Sequence, residues 1–171
     1  MGFMRNLGSH TKRHEGFTLI ELMVVVLIIA ILIAIAIPTY LGARRQAADR
    51  ATQANVRNAF TASRIYYGEW SAYTEDSAEM SKVEPSLAWT TTALDGSSSA
   101  RAIYLKVFNI PSTAQTVVLV GRTSMGRCFY IKDTMAGSLT GTYYDRTVPA
   151  GASCAVPDPS DPAWGDSWSR S

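Results

Sequence analysis

Residues 16 to 38 read GFTLIELMVVVLIIAILIAIAIP, and in the 21 residues from Phe17 to Ile37 only Thr18 and Glu21 are polar. At about 1.5 Å per residue such a helix is roughly 31 Å long, the thickness of a bilayer's hydrocarbon core. Isoleucine, valine and leucine occupy every face of it, which excludes the one-sided helix of an ordinary soluble core. Glu21 is the exception. A charged carboxylate in hydrocarbon costs at least about 2.5 to 3.5 kcal/mol. That cost is relieved if Glu21 snorkels toward headgroups from its place near the end of the run, if it is protonated, or if it meets a cation. Nothing between Phe17 and Ile37 is cationic, so a cation has to come from another copy of the chain. A cut after Gly16 creates one: the α-amino group of Phe17, itself a charge at an apolar helix tip. Two orphan charges of opposite sign define a contact between copies, and such a pair sets register more than it adds affinity.

The rest of the chain is of soluble composition. Its 171 residues are enough for one domain and one long helix. Residues 1 to 16 hold three of the 16 basic side chains (Arg5, Lys12 and Arg13) and one of the 14 acidic ones (Glu15), so the remainder is neutral. It lacks the clustered Lys and Arg of a phosphate-tracking groove, and nucleic acid is not an expected partner. The two histidines, His10 and His14, both precede Gly16, which leaves Ser-His-Asp and metal-hydrolase schemes without their base or ligand. No enzyme activity, cofactor or metal is expected. The stretch from Gly121 to Cys128 has the glycine spacing of a phosphate loop, but Arg127 stands for its lysine and Cys128 for its Ser/Thr, and a strand follows. It reads as a hairpin turn. Cys128 and Cys154 lie 26 apart with no CxxC, which favours a disulfide in an oxidising compartment over two unrelated buried thiols.

Charge counting around the apolar run ends in a tie, since Arg44, Arg45 and Arg50 follow it. The short basic leader and the cysteine pair decide for a body outside the cytosol. Ala34-Ile35-Ala36 before Pro38 also has the form of a secretory cleavage site, yet the run exceeds the usual h-region.

The string Gly16-Phe17-Thr18-Leu19-Ile20-Glu21, with a short basic leader before it and Pro38 after the run, resembles the class III signal of type IV pilins and the related pseudopilins. The resemblance covers residues 12 to 45. It implies that a membrane aspartyl (prepilin) peptidase removes leader residues 1–16 between Gly16 and Phe17, that the Phe17 amine is N-methylated, and that Glu21 pairs with the Phe17 amine of a neighbouring subunit during assembly. It also implies an assembly ATPase and an inner-membrane platform as partners. The organisation expected is leader 1–16, membrane and filament-core helix 17–37, the second half of a long helix 38–68, and a globular β domain 69–171.

Past Pro38 the chain stays rich in helix formers, so a helix is expected to about Tyr67, with a kink between Pro38 and Gly42. Val56, Phe60, Ser63 and Tyr67 form a stripe for a sheet, while Arg44, Arg45, Arg50, Arg57 and Arg64 are left mostly for solvent or neighbours. Residues 70 to 99 read as a connecting loop. Strands are expected at 102–109, 116–122, 127–132 and 142–146, the first alternating as one buried face requires. The fold class is α+β and pilin-like: one long helix against an antiparallel sheet of three or four strands, with a Cys128–Cys154 C-terminal loop, a closure the resembled family often uses. The tail PDPSDPAWGDSWSRS reads as solvated. Its aspartates do not follow an EF-hand pattern, although secretion pseudopilins hold calcium in such a loop. Trp164 and Trp168 are candidates for docking on a neighbour or for an adhesive patch. The function expected is a structural subunit of a pilus, with two alternatives: a pseudopilin of a secretion or DNA-uptake machine, and a monomeric signal-anchored surface domain.

Overall fold

The computed structural model describes residues 16–110, 114–135, 140–147, 153–160 and 164–168. Leader residues 1–15, with Arg5, Lys12, Arg13 and both histidines, lie outside them. The chain divides into two units, Met1–Gly42 and Ala43–Ser171.

Helix α1 runs from Leu19 to Trp70. Its start is fixed by Thr18, whose hydroxyl accepts from the Glu21 amide at 3.3 Å while its carbonyl accepts from the Leu22 amide at 3.2 Å. That is an N-cap satisfying donors a helix leaves open. Its end lies three residues beyond the expected Tyr67. Ser71 takes the left-handed conformation, φ 53°, and its amide donates to the Tyr67 carbonyl at 2.7 Å. This is an αL stop in a place where glycine is the usual residue, and sequence pattern gave no sign of it.

In the second unit α2, Ser77–Val83, and β1, Ala88–Thr90, precede four longer strands: β2 Ala102–Ile110, β3 Ala114–Arg122, β4 Cys128–Thr134 and β5 Gly141–Thr147. The sheet order is β1-β2-β3-β4-β5, with β1 parallel to β2 and every other pairing antiparallel. The sheet therefore has five strands, where three or four were expected. The added strand and α2 both fall in the stretch read as a connecting loop. Each is short enough for its ends to dominate its composition. Asp76 caps α2, accepting from Ala78 N at 2.8 Å, so a residue that reads as a turn former is in fact a helix start. The Gly121–Cys128 stretch is the β3–β4 hairpin: Arg122 pairs with Cys128, and Gly126 supplies a φ of +86°.

The C-terminal half of α1 lies on the sheet. Val56, Ala59 and Ala62 pack with Ile103, Leu105, Val117, Leu119, Phe129 and Ile131 in one core cluster. Gly121 allows the closest approach, because a Cβ there would sit 2.4 Å from Val56 Cγ2 and 2.9 Å from Thr52 Cγ2. The expected stripe is thus shifted: Val56 and Ser63 are buried, Phe60 and Tyr67 are half-buried, and Thr52, Ala59 and Ala62 complete the contact face. Small residues line it because the backbones approach closely. The opposite face of the sheet is buried too, with Leu94, Val118, Val120, Tyr130 and Trp164 around the cysteine pair. One buried face was expected. The second is covered by parts of the chain that carry no periodic pattern.

Candidate functional site

Among the described residues the first unit presents a bare apolar surface. From Phe17 to Ile37 no residue is buried, and Phe17, Leu19 and Ile20 are 78%, 76% and 71% exposed. Among the described residues α1 is the one helix long and apolar enough to cross a membrane. Each leucine, isoleucine or valine left in water forgoes about 1.5 to 3 kcal/mol.

Glu21 stands in the first turn of this surface. Its carboxylate Oε2 accepts from the Thr18 hydroxyl at 3.4 Å, and no ion pair involves it among the described residues. Thr18-x-x-Glu21 therefore forms one half of a capping box, a role that sequence analysis missed and that the spacing T-x-x-E would have disclosed. Gly16 and Phe17 precede the helix and are exposed, and a Cβ at Gly16 would touch nothing within 4 Å. Among the described residues nothing crowds the expected cleavage point, and Glu21 stands about one turn beyond it.

Pro38 lies inside α1, which continues through it. Its missing N–H removes the helical bond to the Ala34 carbonyl, and just beyond it the Thr39 hydroxyl donates to the Ala36 carbonyl at 2.9 Å and lies 3.4 Å from the Ile35 carbonyl. A Cβ at Gly42 would meet nothing, so that glycine is not needed for packing within the chain.

In the second unit Cys128 and Cys154 form a disulfide, with Cα atoms 5.8 Å apart and both residues fully buried. Closing a loop of this length is worth about 3 kcal/mol. Leu94 pairs with Cys154 as an isolated antiparallel bridge, which ties the α2–β2 region to the same point.

Two of the arginines assigned mostly to solvent or neighbours have partners in their own unit. Arg64 forms a two-pronged pair with Asp133, Nε to Oδ2 and Nη2 to Oδ1 both at 2.7 Å. The fully buried Asp133 also accepts from Tyr73 Oη at 2.5 Å and from Thr142 Oγ1 at 2.8 Å. Burial, reinforced by the bond to Asp133, pushes the Tyr73 phenol far above its ordinary value of 10.0. The same carboxylate, through its hydrogen bond, raises the Arg64 guanidinium. Arg57 lies over the Trp168 ring at 4.8 Å. Asp49 on α1 pairs with Arg127 of the β3–β4 hairpin. Arg44, Arg45 and Arg50 are exposed.

The tail departs most from expectation. Trp164 and Trp168 are 8% and 7% exposed and dock on their own sheet, which removes them as an adhesive patch or a neighbour-docking pair. Among the described residues no group of three or more His, Cys, Asp or Glu is placed to hold a metal.

The family model described as the prokaryotic N-terminal methylation motif matches residues 11–37. The type IV major pilin protein PilA of Myxococcus xanthus is 38% identical over 68 residues, 40% of this chain and 31% of that protein. The type IV wide pilus major component PilA4 of Thermus thermophilus is 41% identical over 69 residues, 40% of this chain and 53% of that protein. The match thus spans about a third to a half of the length of these curated relatives. No solved structure matches the chain.

Proposed function

We propose that this chain, which carries the N-terminal methylation motif and is similar to type IV pilins over 40% of its length, is a structural subunit of a surface pilus and works by assembly, without catalytic turnover. The observation that carries the proposal is the exposed apolar half-helix with its single carboxylate at the tip. Water does not tolerate such a surface and a bilayer tolerates it except at Glu21. A bundle of identical helices accommodates all of it, burying the aliphatic side chains and offering Glu21 the amine of a second copy.

In this reading the chain waits in the cytoplasmic membrane as a single-pass prepilin with the β domain outside. A prepilin peptidase removes 1–16, the Phe17 amine is methylated, and membrane-platform and ATPase partners drive polymerisation. The T-x-x-E cap serves this chemistry, because it orders the first turn that presents both charges. The two relatives are named as pilus components, which supports a pilus over a secretion or DNA-uptake pseudopilus.

Mass spectrometry of the N-terminus of the protein purified from its native membrane or surface material tests the proposal. It predicts a methylated Phe17. A start at Met1 would indicate an uncleaved anchor, and a start at Ile37 an exported soluble domain; either result overturns it.

A further inference from the structure

Strand β5, Gly141–Thr147, lies at one edge of the sheet, and an unpaired edge is a template for another chain. One described piece of the tail, residues 164–168, lies across that edge. Gly165 exchanges two backbone hydrogen bonds with Tyr144, Tyr144 N to Gly165 O at 2.6 Å and Gly165 N to Tyr144 O at 2.9 Å. Tyr144 thus turns its backbone groups away from β4 and toward the tail.

The two tryptophans flank this bridge from opposite faces. Trp164 belongs to the cluster around the disulfide, edge-on to Tyr130 at 6.4 Å, and the ammonium of Lys132 lies 4.9 Å from its ring centre. Trp168 belongs to the cluster under α1, edge-on to Phe129 at 5.7 Å and to Tyr144 at 5.1 Å. Its indole N–H donates to the Tyr130 carbonyl at 2.9 Å, and Arg57 covers its outer side. The piece therefore grips the sheet from both sides and, among the described residues, closes the edge with one bridge. It offers little edge of its own: Asp166 and Ser167 are exposed, and the preceding segment carries Pro157, Pro159 and Pro162, which lack the N–H a new strand requires.

We propose that residues 164–168 are an edge clip whose function is to keep β5 from pairing with β5 of a second copy. An antiparallel edge is self-complementary about a two-fold axis, so a second copy is the partner that always fits it. The clip lies wholly within the Ala43–Ser171 unit, and the proposal stands or falls independently of the pilin reading.

The test uses the full chain in detergent micelles, compared with Gly165→Pro, which removes one bridge donor and leaves both tryptophans, and with a chain ended after Ser160, which keeps the disulfide. Residue-resolved amide exchange and sedimentation at rising concentration are the readouts. In the native chain the Tyr144 amide exchanges slowly. In both variants it exchanges about tenfold faster or more while Leu119 and Ile131 stay protected, and the variants associate at concentrations where the native chain does not. Unchanged Tyr144 exchange would overturn the proposal, as would open clips without added association. Loss of protection at Leu119 would overturn it too, because the segment would then be part of the core and not a cap.

Discussion

Glu21 caps the start of α1, and the proposed function gives it a second role, in assembly, that one substitution separates from the first. Glutamine at this position keeps the capping geometry, since T-x-x-Q caps as T-x-x-E does, but it cannot attract an amine. Glu21→Gln is therefore expected to leave membrane insertion intact and to reduce sheared surface filaments by about tenfold or more, as read by electron microscopy and immunoblot. An alanine would confound the two roles. Gly121 is the matching position in the folded unit, where a methyl group would be driven into Val56 and Thr52. Both of those are β-branched and stiff in a helix, so neither yields cheaply. Gly121→Ala is expected to destabilise the unit by about 1 to 3 kcal/mol in denaturant unfolding, and adding Val56→Ala is expected to recover part of the loss. The apolar run and its acid were legible from single letters. The need for Gly121 was not, because it arises from a helix 65 positions earlier in the chain.

The elements divide by how local their causes are. Strands β2 to β5 were readable to within two residues at each end, because alternation and turn residues act over a few positions. Helix α2 and strand β1 were not, since a seven-residue helix and a three-residue parallel strand owe their existence to what they pack on. The Arg64–Asp133–Tyr73 cluster belongs to the same class, joining α1, the segment before α2 and strand β4 across up to 69 positions. It makes a prediction in pH. The folded state holds the Tyr73 phenol protonated above the pKa of 10.0 that governs the unfolded chain. In that range the folded state binds the extra proton, so the contribution is complete below about pH 10 and is lost as pH rises further. Unfolding free energy should therefore fall as pH climbs above about 10, and Tyr73→Phe should flatten that part of the profile.

Across the whole molecule the two units differ in what they leave uncovered. Unit Ala43–Ser171 buries both faces of its sheet, is held by a disulfide and has a clipped edge. Unit Met1–Gly42 leaves its apolar surface bare among the described residues. The role of the tail was illegible in the sequence because its prolines and aspartates have the composition of a solvated segment. What docks it is two indole rings whose targets lie in strands β4 and β5. The proposed function depends on the bare helix finding its cover in other copies of the same chain. Immunogold electron microscopy of sheared cell-surface material, probed for this chain, is the direct test. Filaments labelled along their length are expected. Label confined to the membrane fraction, with no filament carrying it, would rule out this use of the helix.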